Sequence, residues 1–297
     1  NENSIKNWVM IGLLAVIIVV LLTQPVIVTQ VQTAGWVTED GRWEVSEPQS
    51  VCVNETNTDL YLQYLPVVDD NICVYHQKEG AAYYAYYRDM DSYANEPLRK
   101  DIGAWQFYYD VDDGIIVFES DDDGSLTLHD YDIWIRDLNE NTTTPLTNYV
   151  GNERAPKISG HNVVFANGTQ LILLNLENTP ERTIISNSVS SLEYDIYGNY
   201  VAYRSSDSGG ILYYYDIALG VSVSTGLIGI ENVLINEEYI TYIRFDSSYG
   251  NWVAGAYDIN RHEHITIHNE EIMESGSDCL YVGDGVFAVV ANMLDNP

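Results

Sequence analysis

The sequence predicts an all-β protein, a six-bladed β-propeller with four-stranded blades, preceded by one N-terminal hydrophobic α-helix. Three observations lead to this prediction: a pair of motifs that recurs at intervals of about 40 residues, the strand-like composition of those motifs, and one long apolar run at the head of the chain. The expected domains are the helix over residues 1–32 and the propeller over residues 33–297, which we expect to lie outside the cell.

The apolar run covers residues 9–28 and contains no charged side chain. As an α-helix it would rise about 1.5 Å per residue and span roughly 30 Å, the hydrocarbon thickness of a bilayer. Pro25 would kink or end this helix because it removes a backbone hydrogen bond. Lys6 precedes the run and acidic residues dominate the rest of the chain. The positive-inside tendency therefore predicts a cytoplasmic N-terminus and an extracellular body.

Three interpretations of this N-terminal segment differ in what surrounds it. A cleaved signal peptide is disfavoured, because the run is long and no Ala-x-Ala site follows it closely. A single-pass signal anchor would keep the helix in membrane lipid. The third interpretation is a resemblance: residues 7–28 are similar to the hydrophobic N-terminal helix of type IV pilins, and the chain starts at Asn1 without Met, as a processed subunit would. That resemblance implies a helix that anchors a subunit and later packs in the core of a filament.

Two markers recur in step along the body of the chain. The runs that carry them are short, rich in β-branched and aromatic residues, and bounded by Gly, Asn, Asp and Ser clusters, which is typical of strands. Four strands at a period of about 40 residues predict a propeller blade. The first marker ends a strand at Tyr75, Phe118, Phe165, Tyr203 and Tyr242, with Val289 at this place in a sixth copy. The second marker brings a polar residue at Asp89, Asp137, Asn175, Asp216 and Asp258.

The repeated pattern of strand, turn and I-x-x-x-D-[IL] resembles the TolB-type β-propellers over roughly residues 60 to 291. The resemblance implies a propeller fold that serves as a binding platform or an auxiliary domain, and it transfers no catalytic residue. The Gly-His and Trp-Asp dipeptides of WD repeats do not recur, which disfavours that subclass.

The sixth repeat is incomplete, since only residues 279–282 and 286–290 read as strands. An unfinished blade would leave sheet edges open, which favours aggregation. Residues 36–53 offer two or three short strands that match no repeat. We therefore expect this N-terminal segment to complete the sixth blade and to close the ring.

The charge of the chain argues against a nucleic-acid partner. Lys and Arg number 13 against 44 Asp and Glu, which gives a formal net charge of −31, whereas binding a phosphate backbone requires dense positive charge. Such a surface repels itself and attracts cations.

The chain contains three cysteines, Cys52, Cys73 and Cys279, whose spacing matches no metal-binding or redox motif. They allow one disulfide and one free thiol, and the sequence leaves the pairing open.

Residues 119–130 have the spacing of a calcium-binding loop. Calcium takes several carboxylate oxygens from one tight loop, and Gly124 at the sixth position permits the sharp turn. The alternative is a polar turn between the second and third strands of a blade, since the other repeats carry such turns there. The predicted ligands of Ca²⁺ are Glu119, Asp121, Asp123 and Asp130.

Three N-x-[ST] sequons, at Asn54, Asn141 and Asn167, are compatible with glycosylation of an extracellular body.

Catalytic motifs are absent from the sequence: it contains no G-x-S-x-G, no H-E-x-x-H, no P-loop and no dinucleotide-binding fingerprint. The sequence therefore predicts a protein that is not an enzyme.

The leading functional interpretation is a structural or adhesive protein of the cell surface. Its N-terminal helix would anchor the acidic propeller in lipid or assemble it, by self-association, into a pilus-like filament. The alternative is a monomeric membrane-anchored binding module that captures a glycan, peptide or cation at the mouth of the propeller. The clusters of tyrosine either serve such recognition or pack between blades.

Overall fold

The structure is a computed structural model that falls into two compact units, Asn1–Asp59 and Leu60–Pro297. It describes residues 30–32, 35–37, 43–45, 49–51, 63–79, 82–92, 94–99, 106–121, 131–177, 182–207, 209–246, 251–267, 280–283 and 286–289.

In the first unit the described residues form four short strands: β1 (Gln30–Gln32), β2 (Gly35–Val37), β3 (Trp43–Val45) and β4 (Gln49–Val51). Strand β1 pairs antiparallel with β4, and β2 pairs antiparallel with β3. The apolar run at residues 9–28 lies outside the described residues, so the N-terminal helix stays a prediction. In the described part of the chain, no helix has the length and hydropathy needed to cross a membrane.

The described part of the second unit contains five complete four-stranded antiparallel sheets, each with its strands side by side in chain order. Sheet 1 consists of β5 (Gln63–Asp69), β6 (Ile72–Glu79), β7 (Ala82–Asp89) and β8 (Asn95–Pro97). Sheet 2 consists of β9 (Gln106–Asp112), β10 (Ile115–Asp121), β11 (Tyr131–Asp137) and β12 (Thr142–Pro145). Sheet 3 consists of β13 (Glu153–Ser159), β14 (Asn162–Asn167), β15 (Gln170–Asn175) and β16 (Thr183–Ser186).

Sheet 4 consists of β17 (Val189–Tyr197), β18 (Tyr200–Ser205), β19 (Leu212–Asp216) and β20 (Val221–Ser224). Sheet 5 consists of β21 (Ile230–Ile235), β22 (Tyr239–Asp246), β23 (Asn251–Asp258) and β24 (Glu263–Ile267). A hairpin of β25 (Leu280–Gly283) and β26 (Val286–Val289) follows. The predicted four-stranded repeats are thus confirmed for these five sheets.

The second strand of each sheet explains the aromatic marker. In β14, for example, the four consecutive residues from Val163 to Ala166 are all buried. Such continuous burial, without the alternation of a half-exposed strand, means that neighbouring sheets cover both faces. The aromatic residue fills the space between sheets, so it recurs once in every repeat. The five marker residues buried in this way are Tyr75, Phe118, Phe165, Tyr203 and Tyr242.

The polar marker ends the third strand of each sheet and closes the turn that follows. The Oδ1 atom of Asp137 accepts hydrogen bonds from the backbone N–H groups of Asn139 and Glu140, both at 2.9 Å. An aspartate or asparagine side chain closes such a turn by accepting hydrogen bonds from the backbone shortly after it. The same arrangement is formed by Asp89, Asn175, Asp216 and Asp258.

The first strands of successive sheets contact one another, which makes them the inner strands around the propeller axis. Each inner strand is interrupted by a bulge, where its register with the second strand shifts. At three of these bulges a non-glycine residue has a positive φ: 34° at Tyr108, 51° at Ala155 and 51° at Asn232. Bulges re-aim side chains, and here they lie near the end at which the inner strands begin, which we call the mouth.

Cys73 lies in β6, is fully buried and forms a disulfide bond. The other two cysteines of the chain, Cys52 and Cys279, lie outside the described residues. The pairing of the three cysteines therefore stays open, as it does in the sequence.

Candidate functional site

The predicted calcium loop is described only at its start. Glu119 and Asp121 end strand β10 and are buried, whereas Asp123 and Asp130 lie outside the described residues. Glu119 binds Arg154 of sheet 3, and within the described ranges no group of three or more His, Cys, Asp or Glu side chains is placed to hold a metal. The calcium site stays a prediction. Its test is thermal unfolding with and without a chelator, and an unchanged midpoint would contradict it.

Arg154 is the most distinctive side chain at the mouth. Its Nη2 atom lies 3.2 Å from Oε1 of Glu119, and its Nε donates a hydrogen bond to Oε2 of the same carboxylate at 3.4 Å. The guanidinium carbon lies 5.5 Å from the centre of the Tyr108 ring and 5.1 Å from that of Tyr131. The Glu119 side chain has 0% exposure, while that of Arg154 keeps 42%. A buried carboxylate and two aromatic rings therefore hold a cation that still reaches solvent.

The backbone that carries Arg154 is held as firmly as its side chain. The N–H of Ala155, at the bulge, donates to Oε2 of Glu119 at 2.9 Å. From sheet 4, the hydroxyl of Tyr194 lies 2.8 Å and 2.7 Å from the carbonyl oxygens of Arg154 and Ala155 and shares its one proton between them. Side chains of sheets 2 and 4 thus both form hydrogen bonds with the backbone at the bulge of sheet 3. Such support from neighbouring groups keeps a binding side chain in one orientation.

Arg154 departs from the repeat at its position. The last residue of each inner strand that pairs before the shift in register is aromatic or aliphatic in three of the five sheets, acidic in sheet 5 and basic in sheet 3. In order, these residues are Tyr64, Phe107, Arg154, Val189 and Glu231. Sequence reasoning missed Arg154, although a lone cation in a repeat position of an acidic chain was the signal that could have found it.

A second charged group lies further along the inner strands, where Lys157 of sheet 3 stands between Asp110 of sheet 2 and Asp195 of sheet 4. The nearby carboxylate of Asp110 raises the pKa of Lys157. Burial raises the pKa of Asp195 to about 6, against the lowering effect of Lys157. Charges of alternating sign therefore run across three neighbouring sheets.

Side chains of these inner strands also accept hydrogen bonds from the backbone of the next sheet. The Oδ2 atom of Asp110 accepts from the N–H of Ile158 in sheet 3, and that of Asp195 from the N–H of Ile235 in sheet 5, both at 3.0 Å. At the ends of the inner strands, the acceptors Asp69, Asp112 and Ser159 bind the N–H groups of Asp113, Gly160 and Gly198. We call these contacts the inter-sheet hydrogen bonds.

Glu153, next to Arg154 in the chain, is a buried carboxyl group with an unusual proton affinity. Burial raises its pKa to about 8, with a further contribution from a hydrogen bond to Asp132. The Thr147 hydroxyl and the Asn167 amide donate to the two oxygens of Glu153, at 3.2 Å and 2.7 Å.

The three predicted glycosylation sites differ in their surroundings. The side chain of Asn167 donates a hydrogen bond to Glu153, Asn141 is exposed in the turn after β11, and Asn54 lies outside the described residues.

Replacing Glu153 by glutamine is expected to flatten the pH dependence of stability between about pH 4.5 and 8. Because the folded-state pKa lies above the ordinary value, the unfolded chain loses this proton at lower pH than the folded protein does. The free energy of unfolding therefore falls as the pH rises through this range, by up to about 1.4 kcal/mol per unit. Glutamine stays neutral and removes that slope. Urea unfolding at several pH values measures it, with exposed Glu140→Gln as control; an unchanged slope in Glu153→Gln would contradict the assignment.

Comparison with solved structures identifies the fold as a β-propeller similar to that of TolB. The structure titled "Crystal structure of TolB from Acinetobacter baumannii" aligns with a TM-score of 0.50 at 17% identity, over 66% of this chain and 52% of that one. The β-propeller domain of the Trilobed protease from Pyrococcus furiosus aligns with a TM-score of 0.59 at 11% identity, over 79% of each chain. A structure from a study of two prolyl endopeptidases aligns with a TM-score of 0.54 at 13% identity, over 70% of this chain and 36% of that one.

This chain therefore spans about half the length of the TolB structure and about a third of the prolyl endopeptidase. The structural neighbours include enzymes as well as TolB, and at these identities the likeness concerns the fold alone. No protein-family model matches the sequence, and no curated protein matches it.

Proposed function

We propose that this protein is a non-enzymatic binding module, held at the outside of the cell by its N-terminal hydrophobic segment, which captures a ligand at the mouth of the propeller. The observation that carries the proposal is the environment of Arg154. A guanidinium group that is oriented by a buried carboxylate and by two tyrosine rings, yet reaches solvent, is suited to recognition.

Three carboxylates near the mouth and along the inner strands, Glu119, Asp110 and Asp195, are engaged in structural contacts, which favours binding over catalysis at these positions. Glu119 is engaged by the guanidinium of Arg154 and the N–H of Ala155. Asp110 and Asp195 each accept a backbone N–H of the next sheet. A general acid or base must instead be free to exchange its proton with a substrate. These side chains hold sheets together.

The location outside the cell rests on three observations. The apolar run at residues 9–28 is long enough to span a bilayer, the rest of the chain is strongly acidic, and Cys73 forms a disulfide, a bond typical of oxidising compartments. The apolar segment would lie in lipid or, by self-association, in the core of a pilus-like filament. The hairpins β2–β3 and β25–β26 supply two strands each, which supports the proposal that they form the sixth blade together.

Ligand capture is tested with the full chain on arrays that display peptides and glycans. We expect defined spots to bind the wild-type protein and to bind Arg154→Lys about tenfold less, because lysine keeps the charge but loses the planar fork of donors. Arg182→Lys is the matched control, since Arg182 also stacks over a tyrosine ring, that of Tyr149, at 4.9 Å. The proposal fails if no spot binds, or if Arg154→Lys binds like the wild type.

The display at the cell surface has a separate test in intact producing cells. Protease added outside the cells is expected to digest the propeller. Negative-stain microscopy of sheared surface material then separates the two forms of display: fibres with propeller-sized knobs indicate a filament, and single particles in detergent extracts of membranes indicate a lipid anchor. A propeller that survives external protease in intact cells would refute surface display.

A further inference from the structure

We propose that the Arg154 site binds the free C-terminal carboxylate of a peptide chain whose remaining charge is neutral or positive. This inference rests on the proposed function and names the chemistry of its ligand. It follows from the donors that Arg154 leaves unused, from the tyrosine rings beside them, and from the charge of the surrounding strands.

The guanidinium group of Arg154 has donors to spare. Of its five N–H groups, one on Nε and one on Nη2 donate to Glu119; the other three have no acceptor among the residues that the structure describes, and two of them lie parallel on the outer edge. Two parallel N–H groups on a guanidinium edge match the two oxygens of a carboxylate, and such paired hydrogen bonds are strong because both partners are charged. Glu119 occupies one edge of the guanidinium, so a ligand carboxylate fits the other.

Tyr108 supplies an apolar wall next to this edge. Its side chain lies at the bulge of β9 with 37% exposure, and its φ of 34° is unusual for a bulky residue. Positive φ values also occur at the bulges of sheets 3 and 5, at Ala155 and Asn232, so the bulge sets this conformation and places the ring at the mouth. A ring held beside the guanidinium can pack against the side chain that precedes a terminal carboxylate, as large rigid aromatic side chains do in binding sites.

The charge of the protein decides which carboxylate ligand fits. On the same strand as Tyr108, Asp110 and Asp112 also reach toward sheet 3, where they accept backbone hydrogen bonds. Together with the net charge of −31, these groups repel a polyanion such as an acidic polysaccharide and attract basic side chains. A ligand with one carboxylate at its end and no further negative charge satisfies both the guanidinium and the acidic surroundings. The C-terminus of a neutral or basic peptide has this pattern.

The test uses two pools of fluorescein-labelled hexapeptides with two fixed lysines, one ending in a free carboxylate and the other in a carboxamide. Fluorescence polarisation with the full chain is expected to show at least about tenfold tighter binding of the acid pool, the usual scale for a charge-assisted bidentate pair. The amide pool carries one more positive charge, so general attraction to the acidic protein would produce the opposite order. The comparison therefore separates the site from non-specific charge.

Three variants assign the effect to the site. Arg154→Lys is expected to weaken the acid pool about tenfold and to leave the amide pool unchanged. Tyr108→Gly accepts the positive φ and should weaken binding while the preference for acid over amide remains. Arg182→Lys should bind as the wild type does. The inference is overturned if the two pools bind equally, or if Arg154→Lys keeps the full preference for acid.

Other outcomes separate this inference from the proposed function. If glucuronate competes with the acid pool as well as an unlabelled peptide does, the carboxylate belongs to a sugar and the peptide assignment is wrong. Array binding that depends on Arg154, combined with equal binding of the two pools, would leave the proposed function intact and refute only the ligand class. Absence of binding in both experiments refutes both.

Discussion

Arg154→Leu is expected to lower the free energy of unfolding by about 3 kcal/mol at neutral pH, because it leaves the carboxylate of Glu119 buried without its cation. Burial already raises the pKa of Glu119, and Arg154 opposes that rise. Without the guanidinium the pKa of Glu119 rises further, so the loss of stability should shrink as the pH falls and Glu119 takes up a proton. Urea unfolding of the wild type and the variant near pH 7 and near pH 5 measures both effects.

The double variant Arg154→Leu with Glu119→Gln is expected to regain part of this loss, since a neutral amide is less costly to bury than a carboxylate. The matched control is Arg261→Leu. Arg261 pairs with Asp258 at 3.7 Å but is 74% exposed, and surface pairs contribute at most about 1 kcal/mol. Equal losses in Arg154→Leu and Arg261→Leu would contradict a buried ion pair at the mouth.

Phe165→Ala is expected to cost about 4 kcal/mol of unfolding free energy, the larger of the two effects on stability. Phe165 has 0% exposure and packs with Ile133 and Ile172 between sheets 2 and 3, and its ring stacks on that of Tyr149. Alanine would lose these contacts and leave a cavity. Because both sheets line that cavity, it would loosen the interface on which Arg154 and Glu119 depend.

Two controls separate the cavity from the mere loss of an apolar side chain. Phe165→Leu fills most of the space and should cost roughly 1.5 kcal/mol. Ile184→Ala removes an apolar side chain that is exposed on the outer strand β16 and should change stability by less than about 0.5 kcal/mol. A loss in Phe165→Ala no larger than that in Ile184→Ala would show that Phe165 does not support the interface. Chemical unfolding of all three variants supplies the comparison.

The repeat could be predicted from the sequence because its two markers depend on local rules. A large apolar residue recurs at the position of Phe165 because a second strand that is covered on both faces needs an apolar side chain there. An aspartate or asparagine recurs at the position of Asp137 because the turn after a third strand needs a side chain that accepts backbone hydrogen bonds. Each requirement is met within a few residues, so each leaves a regular trace along the chain.

The candidate site could not be predicted in the same way because its partners come from different repeats. The acidic residues that follow Glu119 predict a calcium loop, and no local pattern indicates that Glu119 contacts Arg154 and Ala155 of the next sheet. Asp110, Lys157 and Asp195 likewise belong to three successive sheets, about one repeat apart. Local spacing carries no information on which side chains meet across neighbouring sheets.

The inter-sheet hydrogen bonds have a consequence for how the repeats diverge in evolution. In each of them the donor is a backbone N–H, which almost every residue possesses, and the acceptor is a side chain of the preceding sheet. A duplicated repeat therefore inherits its donors whatever its sequence becomes, and only the acceptor position is constrained. An aspartate or a serine fulfils that role equally, as Asp69 and Ser159 do. Neighbouring repeats can thus lose almost all resemblance to one another and still remain attached.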